Sequence, residues 1–268
     1  LMEVKAMDTD NIPDNRKIVE NKPEDLKNLQ GVLGELLWLT RTIRSDCAYA
    51  VCQLASRILS WSEVCSRQLR HLIGYLMATW DASLKIKAAP DDTWDELKLH
   101  VHSDASLALP RSHSGAFVFA EGPRGSFIPL DWASRHQKIA STSSTASETI
   151  AAHEALMMTL PAVDSFKDQQ VHHSTDNQSL LANIQRGYSE RLAYLQRALR
   201  LRSSFIHDCN ERGLAKSEYV DTKHCRADPL TKPLPFPACR ETALRMGLIF
   251  GEGKITQEEL LKIDISTE

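Results

Sequence analysis

Four acidic residues sit where the chain changes character, and together they have the makings of a hydrolytic metal site. Asp104 ends the first expected strand in HSDAS, Glu148 lies in the first turn suggested by TASETIAA, Asp176 follows the run QQVHHST, and Asp228 stands in HCRADPLTK. A hard divalent cation such as Mg²⁺ takes carboxylate oxygens. A pair of such ions roughly 3.5–4 Å apart can activate a water and stabilise the leaving oxygen of a phosphodiester. Each acid also has a plain structural reading. Thr145 and Glu148 have capping-box spacing, Asp176 before NQSLL has the form of a helix N-cap, and Asp228-Pro229 reads as a cap with proline at the first helical position. Asp104 could open a turn. Spacing alone leaves both readings open at all four positions.

The elements that must position these acids follow from hydrophobic period. LKLHVHSDAS (97–106) alternates Leu97, Leu99 and Val101 with Lys98, His100 and His102, the pattern of a strand with one buried face. Residues 114–134 read as two strands around EGPRG, a hairpin signal. TASETIAAHEALMMTL (145–160) reads as a helix and QQVHHST (169–175) as a fourth strand, with SLLANI helical after it. Residues 190–213 form a long amphipathic pattern with Leu192, Leu195 and Leu199, closed by Gly213 as a C-cap, and KSEYVDT (216–222) reads as a fifth strand. The sum is an α/β domain on a mixed sheet. Ahead of it, residues 29–82 carry three helical patterns, with Ser45 and Asp46 as an N-cap signal for the second and Leu36, Leu37, Trp38 and Leu39 as an apolar cluster expected in a core. Residues 1–28 read as a polar leader or linker, 29–95 as a helical segment, 96–235 as the α/β domain and 236–268 as a tail with a capped helix over 255–263.

Composition bounds the function without naming it. The chain has 268 residues, 42% hydrophobic and 25% charged, with a formal charge of −3, so it is not a bulk polycation. No stretch reaches the roughly 18–20 apolar residues of a membrane span, and the acidic start lacks a secretory run. The six cysteines form no CxxC pair, which disfavours a zinc ribbon and fits free thiols in a reducing compartment. The expected location is intracellular, in cytoplasm or nucleus.

Taken in order, the blocks resemble the ribonuclease H region of copia-type LTR-retrotransposon Pol polyproteins. That family carries SDAD, STSGYVF, ISWxSxxQ, SSTEAEY, DNQSA and VxTxxxxADxxTKPL. The corresponding runs are HSDAS (102–106), RSHSGAFVF (111–119), LDWASRHQ (130–137), SSTASET (143–149), TDNQS (175–179) and VDTKHCRADPLTKPL (220–234). Upstream, residues 31–57 and 69–84 resemble the family's VGSLLYL, RPDIAYAV and RxLRYLxGT, the helical end of the reverse-transcriptase region. The polymerase YxDD motif does not occur in this chain, so polymerisation is not expected of it. Four positions depart from the pattern: Ala146 and Thr149 replace a Glu and a Tyr of SSTEAEY, Ser106 replaces the second acid of SDAD, and Pro229 follows the last Asp.

The resemblance implies a ribonuclease H-like fold with a five-stranded mixed sheet. It also implies a nuclease that cuts the RNA strand of RNA–DNA hybrids with two Mg²⁺ or Mn²⁺ ions held by Asp104, Glu148, Asp176 and Asp228. Asp104 would be shared by both ions, with Glu148 and Asp176 completing one and Asp228 the other. Asn177, Gln178, Ser143 and Ser144 are candidate substrate contacts, and His224 a candidate for product release. Arg191, Arg197, Arg200 and Arg202 form either a DNA-tracking face or an ordinary solvated one. The expected partners are the hybrid and a polymerase domain in cis or trans, with no membrane. The alternative function is a catalytically dead retroelement fragment that binds nucleic acid or serves as a scaffold, and residues 29–82 could serve as a subunit or polymerase contact.

Overall fold

The run of alternating apolar residues at 97–101 becomes the middle strand of a sheet. The computed structural model describes residues 23–108, 110–187 and 197–251. In chain order these form α1 (Pro23–Thr42), α2 (Ala48–Ser56), α3 (Glu63–Ala78), β1 (Ser83–Leu84), β2 (Lys98–Ser106), β3 (His113–Glu121) and β4 (Phe127–His136). They continue with α4 (Ser144–Thr159), β5 (Val171–Thr175), α5 (Gln178–Arg186), α6 (Arg197–Glu211), β6 (Ala215–Tyr219), α7 (Phe236–Arg245) and β7 (Leu248–Ile249). The described residues divide into two compact units, one from 85 to 231 and the other from the residues before 85 and after 231. Residues 1–22 of the predicted leader, the predicted tail helix at 255–263, and Arg191, Leu192 and Leu195 lie outside the described residues, whereas residues 23–28 of that leader are helical and belong to α1.

In the unit spanning 85–231 the sheet order is β4-β3-β2-β5-β6. β3 is antiparallel to both β2 and β4, whereas β5 is parallel to both β2 and β6. This five-stranded mixed sheet with flanking helices is the ribonuclease H-like arrangement expected from the sequence. Antiparallel β2, β3 and β4 need only short turns. The parallel neighbours need helical crossovers, which α4, α5 and α6 supply. Leu99, Val101, Val118, Val171, Ala152, Leu156, Leu180 and Ile206 build the core between the sheet and the helices. Gly213, with φ of +71°, turns the chain out of α6 and into β6, as the sequence suggested.

The expectation of a half-buried β2 needs correction. Its second face is also covered: His102 and Asp104 are buried, as Leu99 is on the other face, and β3 is buried along nearly its whole length. The covering is a loop, Cys225–Thr231, that returns across this face. The amide of Arg226 donates to His102 Nδ1 at 3.1 Å, and its guanidinium stacks over Phe119 and Phe127 at 4.3 and 4.8 Å from the ring centroids. Polar residues on β2 therefore signal not a solvent face but a second layer, made by a loop with a short 3₁₀ turn.

In the other unit, α1, α2 and α3 share a core of Leu33, Leu36, Val51, Leu54, Trp61, Leu72 and Tyr75. Ser45 and Asp46 do not cap α2, whose N-cap is Cys47 with no side-chain bond. Both lie in a buried 3₁₀ turn, and Asp46 is held bidentately by Arg44 at 3.0 and 2.8 Å and receives the Tyr75 hydroxyl at 2.7 Å. Of the apolar cluster on α1, Leu36 is buried but Leu37 and Trp38 are exposed, the latter at 67%. The sequence reading missed α7 and the β1–β7 pair, because Pro233, Pro235 and Pro237 masked a helix that accepts proline at its first turn.

Candidate active site

The register of β2 on β5 decides where the first and third acids point. His102 pairs with Ser174. Residues opposite one another share a face and side chains repeat every second residue. Two residues further on, Asp104 and Asp176 therefore arrive side by side on the same face, Asp104 still within β2 and Asp176 just beyond β5. Glu148 enters from α4, as the fifth residue of that helix. One ligand oxygen each of Asp104, Glu148 and Asp176 lies within 4.8 Å of the other two. Asp104 and Glu148 are 4% and 5% exposed, while Asp176 stands half-buried at the mouth.

Two of the structural readings of these acids are met by other residues, and two are not met at all. Asn177, not Asp176, caps α5, accepting the Leu180 amide at 2.8 Å. Ser143 caps α4, accepting the Ala146 amide, so Thr145 and Glu148 form no capping box. The 3₁₀ turn Asp228–Leu230 is preceded by Ala227 and has no side-chain cap. Asp104 lies inside a strand rather than opening a turn. The cap readings of Glu148, Asp176 and Asp228 and the turn reading of Asp104 are therefore not met.

Asp228 is buried at 8% and is not one of the three acids within 4.8 Å. Its segment is nevertheless fastened beside Asp104. The Thr231 hydroxyl donates to Asp104 Oδ2 and lies 3.0 Å from the carbonyl of Asp228. Ser134 Oγ donates to the Leu230 carbonyl at 2.7 Å. Gly115 pairs with Asp104 across β2 and β3. A Cβ there would stand 2.7 Å from Thr231 Cγ2, 2.8 Å from the Ala227 oxygen and 2.9 Å from Leu230 Cβ, so the loop's approach needs glycine. Cys225 records the same convergence: its thiol is pushed far up, first by burial and then by the charges of Asp104, Asp176 and Asp228.

The remaining candidates occupy the rim. Ser143 and Ser144 are exposed at the start of α4, Gln178 is the exposed first residue of α5, and His224 is exposed on the 3₁₀ turn Thr222–His224. The carbonyl oxygen of the Asn177 side chain is engaged in its cap. Ala146 and Thr149, the departures from the family pattern, are both buried in α4, with the Thr149 hydroxyl donating to the Thr145 carbonyl at 2.8 Å. On α6, Arg197 is exposed but Arg200 and Arg202 are half-buried, so these three do not make a uniform solvated face.

Four further residues shape the site. Besides Thr231 and Gly115, Thr222 Oγ1 donates to Asp176 Oδ2 at 2.7 Å. Gln137, fully buried, donates from Nε2 to the Ser147 carbonyl at 2.8 Å and to Ser114 Oγ at 3.0 Å, tying the end of β4 to the turn of α4 that carries Glu148. Gln137 and Thr231 lay inside quoted motifs, but nothing in their spacing marked which acid or helix turn each would hold.

A donor set of three carboxylates is hard and anionic, matching Mg²⁺ or Mn²⁺ rather than soft metals. Two unit negative charges 4.8 Å apart repel by about 3.5 kcal/mol at an effective dielectric constant of about 20. Three ionised acids at this spacing therefore favour a bound cation strongly. Oxygens on one Mg²⁺ stand up to about 4.2 Å apart, a spacing that modest side-chain rotation would give.

The chain is 28% identical over 139 residues to a Saccharomyces cerevisiae protein described as "Putative transposon Ty5-1 protein YCL074W", a match covering 50% of this chain and 42% of that protein. The chain thus spans less than half the length of the curated relative it matches. No protein-family model matches it. Among solved structures it is similar to ribonuclease H1 of Halobacterium salinarum, at 16% identity over 50% of this chain and 94% of that one, with a TM-score of 0.35. It is also similar to LC11-RNase H1 in complex with an RNA/DNA hybrid, at 18% identity over the same shares, TM-score 0.35. The prototype foamy virus protease-reverse transcriptase gives 10% identity over 62% of this chain and 22% of that one, TM-score 0.34. At such scores the fold rests on the strand order and register given above. No helix among the described residues is long and apolar enough to cross a membrane.

Proposed function

We propose that this chain is the ribonuclease H part of a copia-type retrotransposon polyprotein, a metal-dependent endonuclease that hydrolyses the RNA strand of RNA–DNA hybrids during reverse transcription. The observation that carries the reading is the approach of Asp104, Glu148 and Asp176 to within 4.8 Å, with the Asp228 segment bonded to Asp104 through Thr231. Asp104, Glu148 and Asp176 would hold one Mg²⁺ or Mn²⁺, and Asp104 with Asp228 a second. The bound ions supply Lewis-acid stabilisation of the charge that builds on the phosphate.

The protein's own part is positional. Strand β2 fixes Asp104 in the middle of the sheet, the start of α4 fixes Glu148 through Gln137, and the Cys225–Thr231 loop delivers Asp228. Ser143, Ser144 and Gln178 lie at helix starts, where amide groups and hydroxyls favour phosphate oxygens. Asn177 and Gln178 directly follow Asp176 and carry the amide donors and acceptors that could meet a 2′-hydroxyl, the group that separates RNA from DNA. His224, four residues before Asp228, is the candidate for assisting product departure. The partners are then the hybrid and a polymerase domain in cis or in trans.

The test is a labelled RNA–DNA hybrid incubated with the full chain and Mg²⁺. The reading expects cuts in the RNA strand alone, with 3′-hydroxyl and 5′-phosphate ends, abolished by EDTA and not seen on duplex DNA. Hybrid binding by folded protein without cutting would instead favour the alternative, a catalytically dead scaffold.

A further inference from the structure

We infer that the segment from Asp221 to Thr231 is a clamp for the cation-binding carboxylates, with Thr231 the positioning residue for Asp104 and Thr222 for Asp176. The inference rests on the proposed function, since it takes these acids as ligands. The two acids come from neighbouring parallel strands, and each has one oxygen engaged by a threonine hydroxyl from the same segment. Thr231 donates to Asp104 Oδ2, and Thr222 donates to Asp176 Oδ2 at 2.7 Å. The segment also carries Asp228. A single piece of chain therefore bears on three of the four acids.

The segment is built to stay still. Asp221 caps its first turn by accepting the Lys223 amide at 2.9 Å, and Pro229 stiffens its second turn. Between these turns it is pinned to β2 by the Arg226 amide on His102 and by the Cys225 thiol, 3.8 Å from the Ser103 carbonyl. Leu230 is held to β4 by Ser134, and the space at Gly115 lets Ala227, Leu230 and Thr231 lie flat on β3.

The chemistry of a hydroxyl suits this task. It has one proton to give, and a carboxylate oxygen is a stronger acceptor than a carbonyl. Thr231 lies between Asp104 and the Asp228 carbonyl, so its proton goes to Asp104. Donation to Oδ2 restrains rotation of the carboxylate. An acid already oriented loses less freedom when a cation binds, and partners of this kind are worth roughly 10- to 100-fold in metal affinity. Thr231 is 1% exposed whereas Thr222 is exposed, so Thr231 has the larger effect.

The experiment titrates the full chain with Mn²⁺ alone, without nucleic acid, following water-proton relaxation. Thr231→Val, which keeps the volume and removes the hydroxyl, is expected to bind Mn²⁺ about 10-fold or more weakly. Thr231→Ser, which keeps the hydroxyl, restores most of the affinity, and Thr222→Val weakens binding a few-fold, in keeping with its exposure. Thermal melting in EDTA reports whether each variant folds. Should Thr231→Val fail to fold, Thr222→Val decides, because its site is exposed. Wild-type Mn²⁺ affinity in the valine variants, or a serine variant as weak as valine, overturns the clamp while leaving the proposed nuclease intact. Wild-type protein that takes up no Mn²⁺, or an Asp104→Asn variant that binds as wild type does, would instead sink the reading of the site itself.

Discussion

Replacing Gly115 with alanine adds one methyl group at the point where the Asp228 segment crosses β3. Gly115 does not have positive φ, so alanine meets no backbone strain, and the effect is steric. The new Cβ would lie 2.7, 2.8 and 2.9 Å from Thr231 Cγ2, the Ala227 oxygen and Leu230 Cβ. Ordinary contacts between carbons lie at about 3.5–4.0 Å. The Ala227 oxygen is backbone and Leu230 Cβ is fixed to it, so the segment itself must retreat by roughly 0.5–1 Å. Overpacking of this kind costs about 1–3 kcal/mol, and the reduced freedom of the unfolded chain returns about 0.4–1 kcal/mol. The net expectation is a loss of about 1–2 kcal/mol in urea unfolding. Function should suffer more, because a displacement near 1 Å of positioned groups costs roughly 100-fold in rate. Single-turnover hybrid cleavage beside urea unfolding separates the two. A Gly115→Ala protein with wild-type stability and rate would show that the loop does not lie on Gly115, and the account of how Asp228 reaches the site would fail.

Three further outcomes follow from other parts of the molecule. His173 is fully buried between Ser103 Oγ at 2.8 Å and Ser217 Oγ at 3.0 Å, and burial pushes its pKa down to about 4. A depressed folded value means the unfolded chain takes up the proton first, so the contribution of His173 is complete above about pH 6.5 and is lost as pH falls toward 4, about 3 kcal/mol from this group; His100, His102 and His113, lowered to about 4, 3 and 3 chiefly by burial, act in the same direction, so urea unfolding at pH 7.5 and 5 should show His173→Gln reducing the dependence without abolishing it. Asp46→Asn breaks a buried bidentate pair with Arg44 and weakens the Tyr75 bond, and should cost about 3–5 kcal/mol in thermal or urea unfolding of the helical unit. Gly34→Ala in α1, where no atom lies within 4 Å of the new methyl, should raise stability by about 0.5–1 kcal/mol.

Much of the sheet was legible because period-2 alternation and turn residues are local signals: the runs at 97–106, 114–134 and 169–175 all became strands within a few residues of their expected ends. The site was legible as a set of acids, since each occurs at a change of period, but their competing roles were not. Asp176 and Asn177 are equally good caps by type, and only the fold shows that the second takes the Leu180 amide. The covering of β2 could not be read at all. It depends on a loop more than a hundred residues downstream, fitted against a glycine whose importance appears only when Asp104 and Gly115 are paired across strands. Asp46 was misread for a similar reason: its partners are a neighbouring arginine and a tyrosine 29 residues away, and the same side chain that could cap a helix instead neutralises a buried guanidinium.

The proposed cleavage has acids from β2, the start of α4 and the end of β5 act as one cation-holding group. Its most direct test is the single-turnover rate of RNA-strand cleavage in a hybrid with saturating Mg²⁺, for wild-type protein and for Asp176→Asn, whose half-buried position makes a folding defect easy to exclude by melting. Wild type should cut, and the variant should cut at a rate below about one hundredth of the wild-type rate. A folded Asp176→Asn protein that cuts at the wild-type rate would contradict it.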